Sequence, residues 1–167
     1  MKTIFLIRHA KSDWGNMGLR DFDRPLSERG LRDAPRMSAF LESQGVEPDI
    51  LISSPANRAQ MTAGYFADAF GISKNKIDLR REIYEAEVED INKIVQDLED
   101  NFNTICLFGH NPTFTHFANQ FTDDYIDNIS TCGIVKIRAN VAHWTDFNEK
   151  HGKVVDKWFP KQLKIHK

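Results

Sequence analysis

Only two of the 167 residues are cysteine, nine are glycine, and the 22 lysines and arginines nearly balance 24 acids. Each shortage excludes something. Cys106 and Cys132 have neither metal-ligand nor disulfide spacing and sit in apolar stretches that read as strands. They are expected to be buried thiols in a reducing compartment, which makes the cytoplasm the expected location. A formal net charge of −2 lacks the surplus of Lys and Arg on one face that nucleic acid requires. No apolar run approaches the roughly 20 residues of a membrane span, and the N-terminal run is broken by Arg8. Neither a membrane segment nor a signal peptide is expected. The turn Arg8, His9, Ala10, Lys11, Ser12 has none of the glycines of a dinucleotide-binding turn, and a Walker-type loop is also missing. No Asp-rich or His-rich cluster has ligand spacing, so neither a metal nor a cofactor is expected. Without repeats or low-complexity tracts, a chain of this length reads as one domain over residues 1–167, with a core needing no covalent staples.

The chemistry is concentrated where apolar runs stop. Ile4, Phe5, Leu6 and Ile7 pass directly into Arg8 and His9. Open α/β sheets bind ligands just beyond the carboxyl ends of their strands, so this pair is expected on that edge. A guanidinium matches phosphate oxygens, and a neutral imidazole is a nucleophile near pH 7. Ile50, Leu51 and Ile52 form a second strand pattern, followed by Ser53, Ser54, Pro55 and a helix whose first turn contains Arg58. A third strand, Ile105 to Phe108, runs into Gly109, His110, Asn111 and Pro112, with Pro112 expected at the first helical position. Right-handed crossovers between parallel neighbours bring Arg8, His9, Arg58 and His110 to one sheet edge. Four such groups are costly to hold together without an anion, and a phosphoryl group is the natural occupant.

These residues resemble the histidine phosphatase superfamily, which includes the phosphoglycerate mutases. The matching pieces are Arg8, His9, Ala10; Leu26, Ser27, Glu28, Arg29, Gly30; Ser53, Ser54, Pro55 with Arg58; and Gly109, His110. The run from Arg8 through Gly30 looks most like the SixA-type phosphohistidine phosphatases. The resemblance covers about three quarters of the chain. Strand and helix patterns alternate over most of the length, which argues for an α/β fold, a three-layer α/β/α sandwich with a mostly parallel sheet and an antiparallel edge strand, and the resemblance implies the same. It also implies a phosphatase with His9 as nucleophile and Arg8, Arg58 and His110 on the phosphate. Glu85 is the candidate proton donor, with Glu82, Glu87, Glu89, Asp13, Asp21 and Asp23 as rivals. The implied partner is a phosphohistidine-bearing protein; the alternatives are a small phosphorylated substrate, such as a sugar or nucleotide phosphate, and a binding module without turnover. Gly15 stands where mutase-like relatives have Asn, and Ala10 where they have Gly, which weakens a mutase assignment.

Around this site the patterns predict a helix from the N-cap Ser27 to Gly45, bent at Pro35, with Leu31, Met37, Phe40 and Leu41 facing the core. A short strand near Ile77 to Leu79, a helix from Asp90 to Glu99 and a helix burying Phe114, Phe117 and Phe121 follow. Late strands are expected at Gly133 to Arg138 and Val154 to Trp158, and a solvated tail from Pro160 with Lys161, Lys164 and Lys167. Lys11, Arg20 and Arg24 either supplement the phosphate site or form solvated ion pairs beside Asp21 and Asp23. Trp14 faces substrate or anchors its loop, and Asn16 is a poor phosphate ligand. His116, His143, His151 and His166 read as surface or satisfied residues.

Overall fold

The computed structural model describes residues 1–164. Strands β1 (Lys2–Arg8), β2 (Ile50–Ser53), β3 (Asp78–Leu79), β4 (Thr104–Gly109), β5 (Ile134–Ala139) and β6 (Gly152–Trp158) form one sheet in the order β3-β2-β4-β1-β5-β6. The first four are parallel, while β5 runs antiparallel to β1 and β6 antiparallel to β5. The edge hairpin therefore supplies the antiparallel pairing. The first two apolar strands are not neighbours, because β4 lies between them and pairs with both. His110, which follows β4, thereby comes between the ends of β1 and β2.

The alternation of β1 sorts its side chains between two cores. Ile4 and Leu6 face α3 (Val88–Gln96) and α4 (Thr113–Asn119), packing with Ile91, Ile94, Phe114, Phe117 and Trp144. Phe5 and Ile7 face α1 (Glu28–Ser43) and α2 (Asn57–Phe70), with Met37, Leu41 and Phe66. This is the α/β/α sandwich. Among the described residues no helix is long and apolar enough to cross a membrane.

Helix α1 starts as its cap predicts, with Ser27 Oγ accepting from the Gly30 N–H at 3.2 Å, and it continues through Pro35. Met37 and Leu41 are buried, but Leu31 is 42% exposed. At 100° per residue Leu31 sits about a quarter turn from the stripe formed by Ala34, Met37 and Leu41. Cys106 is in β4 as expected, whereas Cys132 occupies a turn just before β5 with φ +61°. Both thiols are free and buried, and burial pushes both pKa values up. Pro112 stands one residue before α4, at its cap, after a cis Asn111–Pro112 bond. The expected solvated tail begins instead as a short helix, α5 (Pro160–Lys164), with Pro160 buried and Leu163 against the α1 and α2 core. His166 and Lys167 lie outside the described residues.

Candidate active site

The strand ends assemble the site. The register of β1 on β4 sets Arg8 opposite Gly109, and the His9 N–H donates to the Gly109 carbonyl at 3.0 Å. His9 and His110 consequently meet with ring centroids 5.2 Å apart. Gly109 has to be glycine, since a Cβ there would lie 2.5 Å from Phe114 Cζ and 2.8 Å from Ile83 Cγ2. Behind the end of β1, the Cys132 N–H is within 3.0 Å of both the Arg8 and the His9 carbonyls.

Each of the four side chains is fixed through its nitrogens, three of them through one and Arg58 through two. His9 is 7% exposed, with Nδ1 2.7 Å from the Ala10 carbonyl, an arrangement in which Nδ1–H donates and Nε2 carries the lone pair. Arg8 Nη1 donates to the Ile129 carbonyl at 2.9 Å. Arg58 donates through Nη1 to the Asp21 carbonyl at 2.8 Å and through Nη2 to Asp21 Oδ2 at 3.1 Å. His110 Nε2 lies 2.7 Å from Ser54 Oγ. A further nitrogen on three of them, Arg8 Nε, Arg58 Nε and His110 Nδ1, is buried with no hydrogen-bond partner among the described residues. Buried polar atoms are normally satisfied, so three orphans on three neighbouring motif residues, two of them arginine N–H donors, mark where a polar group belongs. Burial, with the charges of Arg58 and Arg8 adding to it, holds the pKa of His9 down at about 3 and that of His110 at about 4. Both rings are neutral at pH 7, the state in which an imidazole can act as a nucleophile.

The segment between β1 and α1 contributes more than its sequence suggests. A 3-10 turn over Asp21–Asp23 brings Asp21 to Arg58, and Asp21 Oδ1 also accepts from Arg24 Nε at 3.2 Å and Nη2 at 2.9 Å. Tyr84 Oη donates to Asp21 Oδ2 at 2.7 Å, and its ring meets His110 edge-on at 5.7 Å. Burial works against the Asp21 charge, but the hydrogen bonds from Tyr84 and Arg24 and the Arg58 charge outweigh it and bring the carboxyl to about 2. Arg24 is no solvated ion pair. It is 8% exposed, donates to Ser12 Oγ at 2.8 Å, and lies 3.4 Å from the centroid of Trp14, which is 68% exposed. Arg20 does form a surface pair, with Asp23 at 3.0 Å, and Lys11 is half-buried. Asn16 accepts from Gly18 within its own loop, and Asp13 from Gly15.

Glu85 is exposed in the turn before α3, in the left-handed region at φ +60°. It lines a cavity of about 320 Å³ together with His110, Glu87, Asn111 and His116. Of its rivals, Asp21 is the acid that reaches a motif arginine. His116 is exposed, His143 bonds Asp100 at 2.8 Å, and His151 bonds the Asp146 carbonyl. Tyr84 is the residue that sequence reading missed altogether, although its place one residue before Glu85 was a signal.

The chain is similar to known proteins in sequence and in fold. An uncharacterized chloroplastic protein of Arabidopsis thaliana is 28% identical over 153 residues, covering 87% of this chain and 70% of its own. A crystal structure of a protein named SixA from Agrobacterium tumefaciens superposes with a TM-score of 0.79 at 26% identity, covering 95% of this chain and 98% of the other. The protein histidine phosphatase SixA complexed with tungstate shares the fold at a TM-score of 0.81 and 19% identity, over 96% and 99% of the two chains. The family model of the histidine phosphatase superfamily, branch 1, matches residues 4–114, a span running from the first core residue of β1 through both histidines and both arginines of the site. The chain belongs to that superfamily.

Proposed function

We propose that this protein is a metal-independent phosphatase that forms a phosphohistidine on His9, and that its substrate is phosphohistidine on a signalling or carrier protein. The observation carrying the reading is the set of orphaned nitrogens on Arg8, Arg58 and His110 beside a neutral, tethered His9. Phosphorus would be attacked in line by His9 Nε2, and the bond from phosphorus to the substrate's imidazole breaks as the new P–N bond forms. The leaving imidazole takes its proton from water or from Glu85. Water then attacks phosphorus, the bond to His9 breaks, and the water's protons leave with inorganic phosphate. Arg8, Arg58 and His110 hold the non-bridging oxygens, and each donor aimed at developing charge contributes roughly 3 kcal/mol.

Two features favour a protein substrate. Among the described residues the segment from Asp13 to Arg24 is short, and α3 and β3 take up part of the chain between α2 and β4, so little chain is left to cover the phosphate. Imidazole is also a better leaving group than an alkoxide, which suits a site whose candidate acid, Glu85, is exposed. The tungstate-bound neighbour is itself a protein histidine phosphatase. The second reading, a phosphomonoesterase acting on a sugar or nucleotide phosphate, draws on the cavity of about 320 Å³ beside His110, which has room for a small alcohol. Rates on a phosphohistidine-bearing carrier and on a panel of small phosphomonoesters, with His9→Ala as blank, separate the two. Preference for the carrier that vanishes in the blank supports the proposal. Preference for one ester supports the second reading, and activity surviving His9→Ala ends both.

A further inference from the structure

We infer that Asp21 is a positioning residue: it grips the far side of the Arg58 guanidinium, with Tyr84 holding Asp21 in turn, so that Arg58 Nε is presented to the phosphoryl group. The inference rests on Arg58 being a phosphate ligand.

The geometry supports this division of labour. Asp21 accepts from both terminal nitrogens of Arg58, through its carbonyl at 2.8 Å and Oδ2 at 3.1 Å. Arg58 Nε, on the same 8% exposed side chain, has no partner. A guanidinium is a planar fork, so fixing its terminal nitrogens fixes the direction of Nε–H. Arg8 follows the same scheme with a carbonyl as its tether, Ile129 O at 2.9 Å, and likewise leaves Nε unpartnered. Asp21 is itself over-determined. Arg24 takes Oδ1, and Arg58 and Tyr84 share Oδ2. Tyr84 in turn packs edge-on against both His110 and Phe22, joining the Asp21 turn to the end of β4.

The alternative role for a carboxylate here is competition, with Asp21 occupying the arginine until phosphate displaces it. The two roles predict opposite signs. Removing a negative charge beside an anion site strengthens anion binding by Coulomb's law alone, whereas removing a tether weakens it. Tungstate affinity, measured by calorimetry on the full chain, reads this without requiring turnover or knowledge of the substrate. Asp21→Ala is expected to weaken tungstate roughly tenfold or more despite the favourable charge change. Asp21→Asn, which keeps an acceptor oxygen for Arg58, recovers part of the loss. Tyr84→Phe, which keeps the ring on His110, gives a smaller loss of the same sign. In an Arg58→Ala background, Asp21→Ala causes no further loss, because the tether acts only through Arg58. Thermal melts establish that each variant is folded, and Tyr84→Phe carries the test if Asp21→Ala is not. Unchanged or tighter binding in the Asp21 variants overturns the inference, as does a full additional loss in the Arg58→Ala background. If Arg58→Ala itself binds tungstate like the wild type, the assignment of Arg58 to phosphate falls, and the inference falls with it.

Discussion

A histidine that attacks phosphorus must be neutral and correctly turned, and His9 achieves both through its surroundings. Burial lowers its pKa to about 3, and the Ala10 carbonyl 2.7 Å from Nδ1 selects the tautomer. As the proposed nucleophile, His9 should therefore stay unprotonated well below pH 5, so an acid limb in single-turnover phosphorylation of the enzyme near pH 6.5 would contradict this environment. Arg58→Lys tests the planar fork in the same way. A lysine ammonium cannot hold Asp21 through two nitrogens and offer a third in a fixed direction, so a loss of about a hundredfold in kcat/KM is expected. His9, Arg8, Arg58 and His110 were legible in the sequence because each lies next to an apolar strand or a helix start. Asp21 was only one of several rival acids and its pairing with Tyr84 was not legible, because their bond joins positions 63 residues apart across irregular chain, where no periodicity points one at the other.

At the level of elements, caps and strand ends carried most of the information. Ser27 was readable as the start of α1 because its hydroxyl satisfies an otherwise orphaned N–H. Ser27→Ala is expected to lower stability by about 1 kcal/mol in urea melts. Gly109 ends β4 under Phe114, and Gly109→Ala should be more damaging, since the added Cβ meets Phe114 and Ile83 well inside van der Waals contact. Loss of both stability and activity is expected, read as a drop in Tm and in turnover. Where the reading failed, tertiary packing had overridden a local pattern. Leu31 matched the helical repeat but lay at the margin of its stripe, and Cys132 looked like strand while serving as the turn that braces the end of β1. The segment from Pro160 read as a solvated tail, yet the open face of α1 and α2 gave Leu163 apolar surface to cover.

Across the whole molecule, two buried neutral histidines make stability depend on pH in a definite direction. Their folded pKa values, about 3 for His9 and about 4 for His110, lie below the 6.5 of an unfolded histidine. Above pH 6.5 neither state is charged and they contribute no slope. As pH falls below that value the unfolded chain binds protons that the folded chain refuses, so stability drops by roughly 1.4 kcal/mol per pH unit for each histidine until its folded pKa is reached. Asp21 adds its own loss only between about pH 4 and 2. Denaturant midpoints are thus expected to fall steadily between pH 6 and 4, with a shallower slope in His110→Asn. A pH-independent midpoint over that window would show that the rings are solvated. The three-layer arrangement was legible from alternating patterns, but the sheet order was not. Nothing local announces that β4 inserts between β1 and β2, because that choice is made by long-range packing.

The chain leaves the sheet after β1 and enters α1 through a narrow neck. Ser12 pairs with Leu26, the Asp13 N–H donates to the Pro25 carbonyl at 2.9 Å, and the Ser27 N–H donates to the Lys11 carbonyl at 2.9 Å. Everything from Gly15 to Leu19 thus hangs on a closed ring, and Met17 at its tip is 97% exposed. Such a ring is an interchangeable cassette. Its tip is expected to tolerate lengthening, replacement or a fluorescent reporter at position 17 while β1 and α1 stay in place.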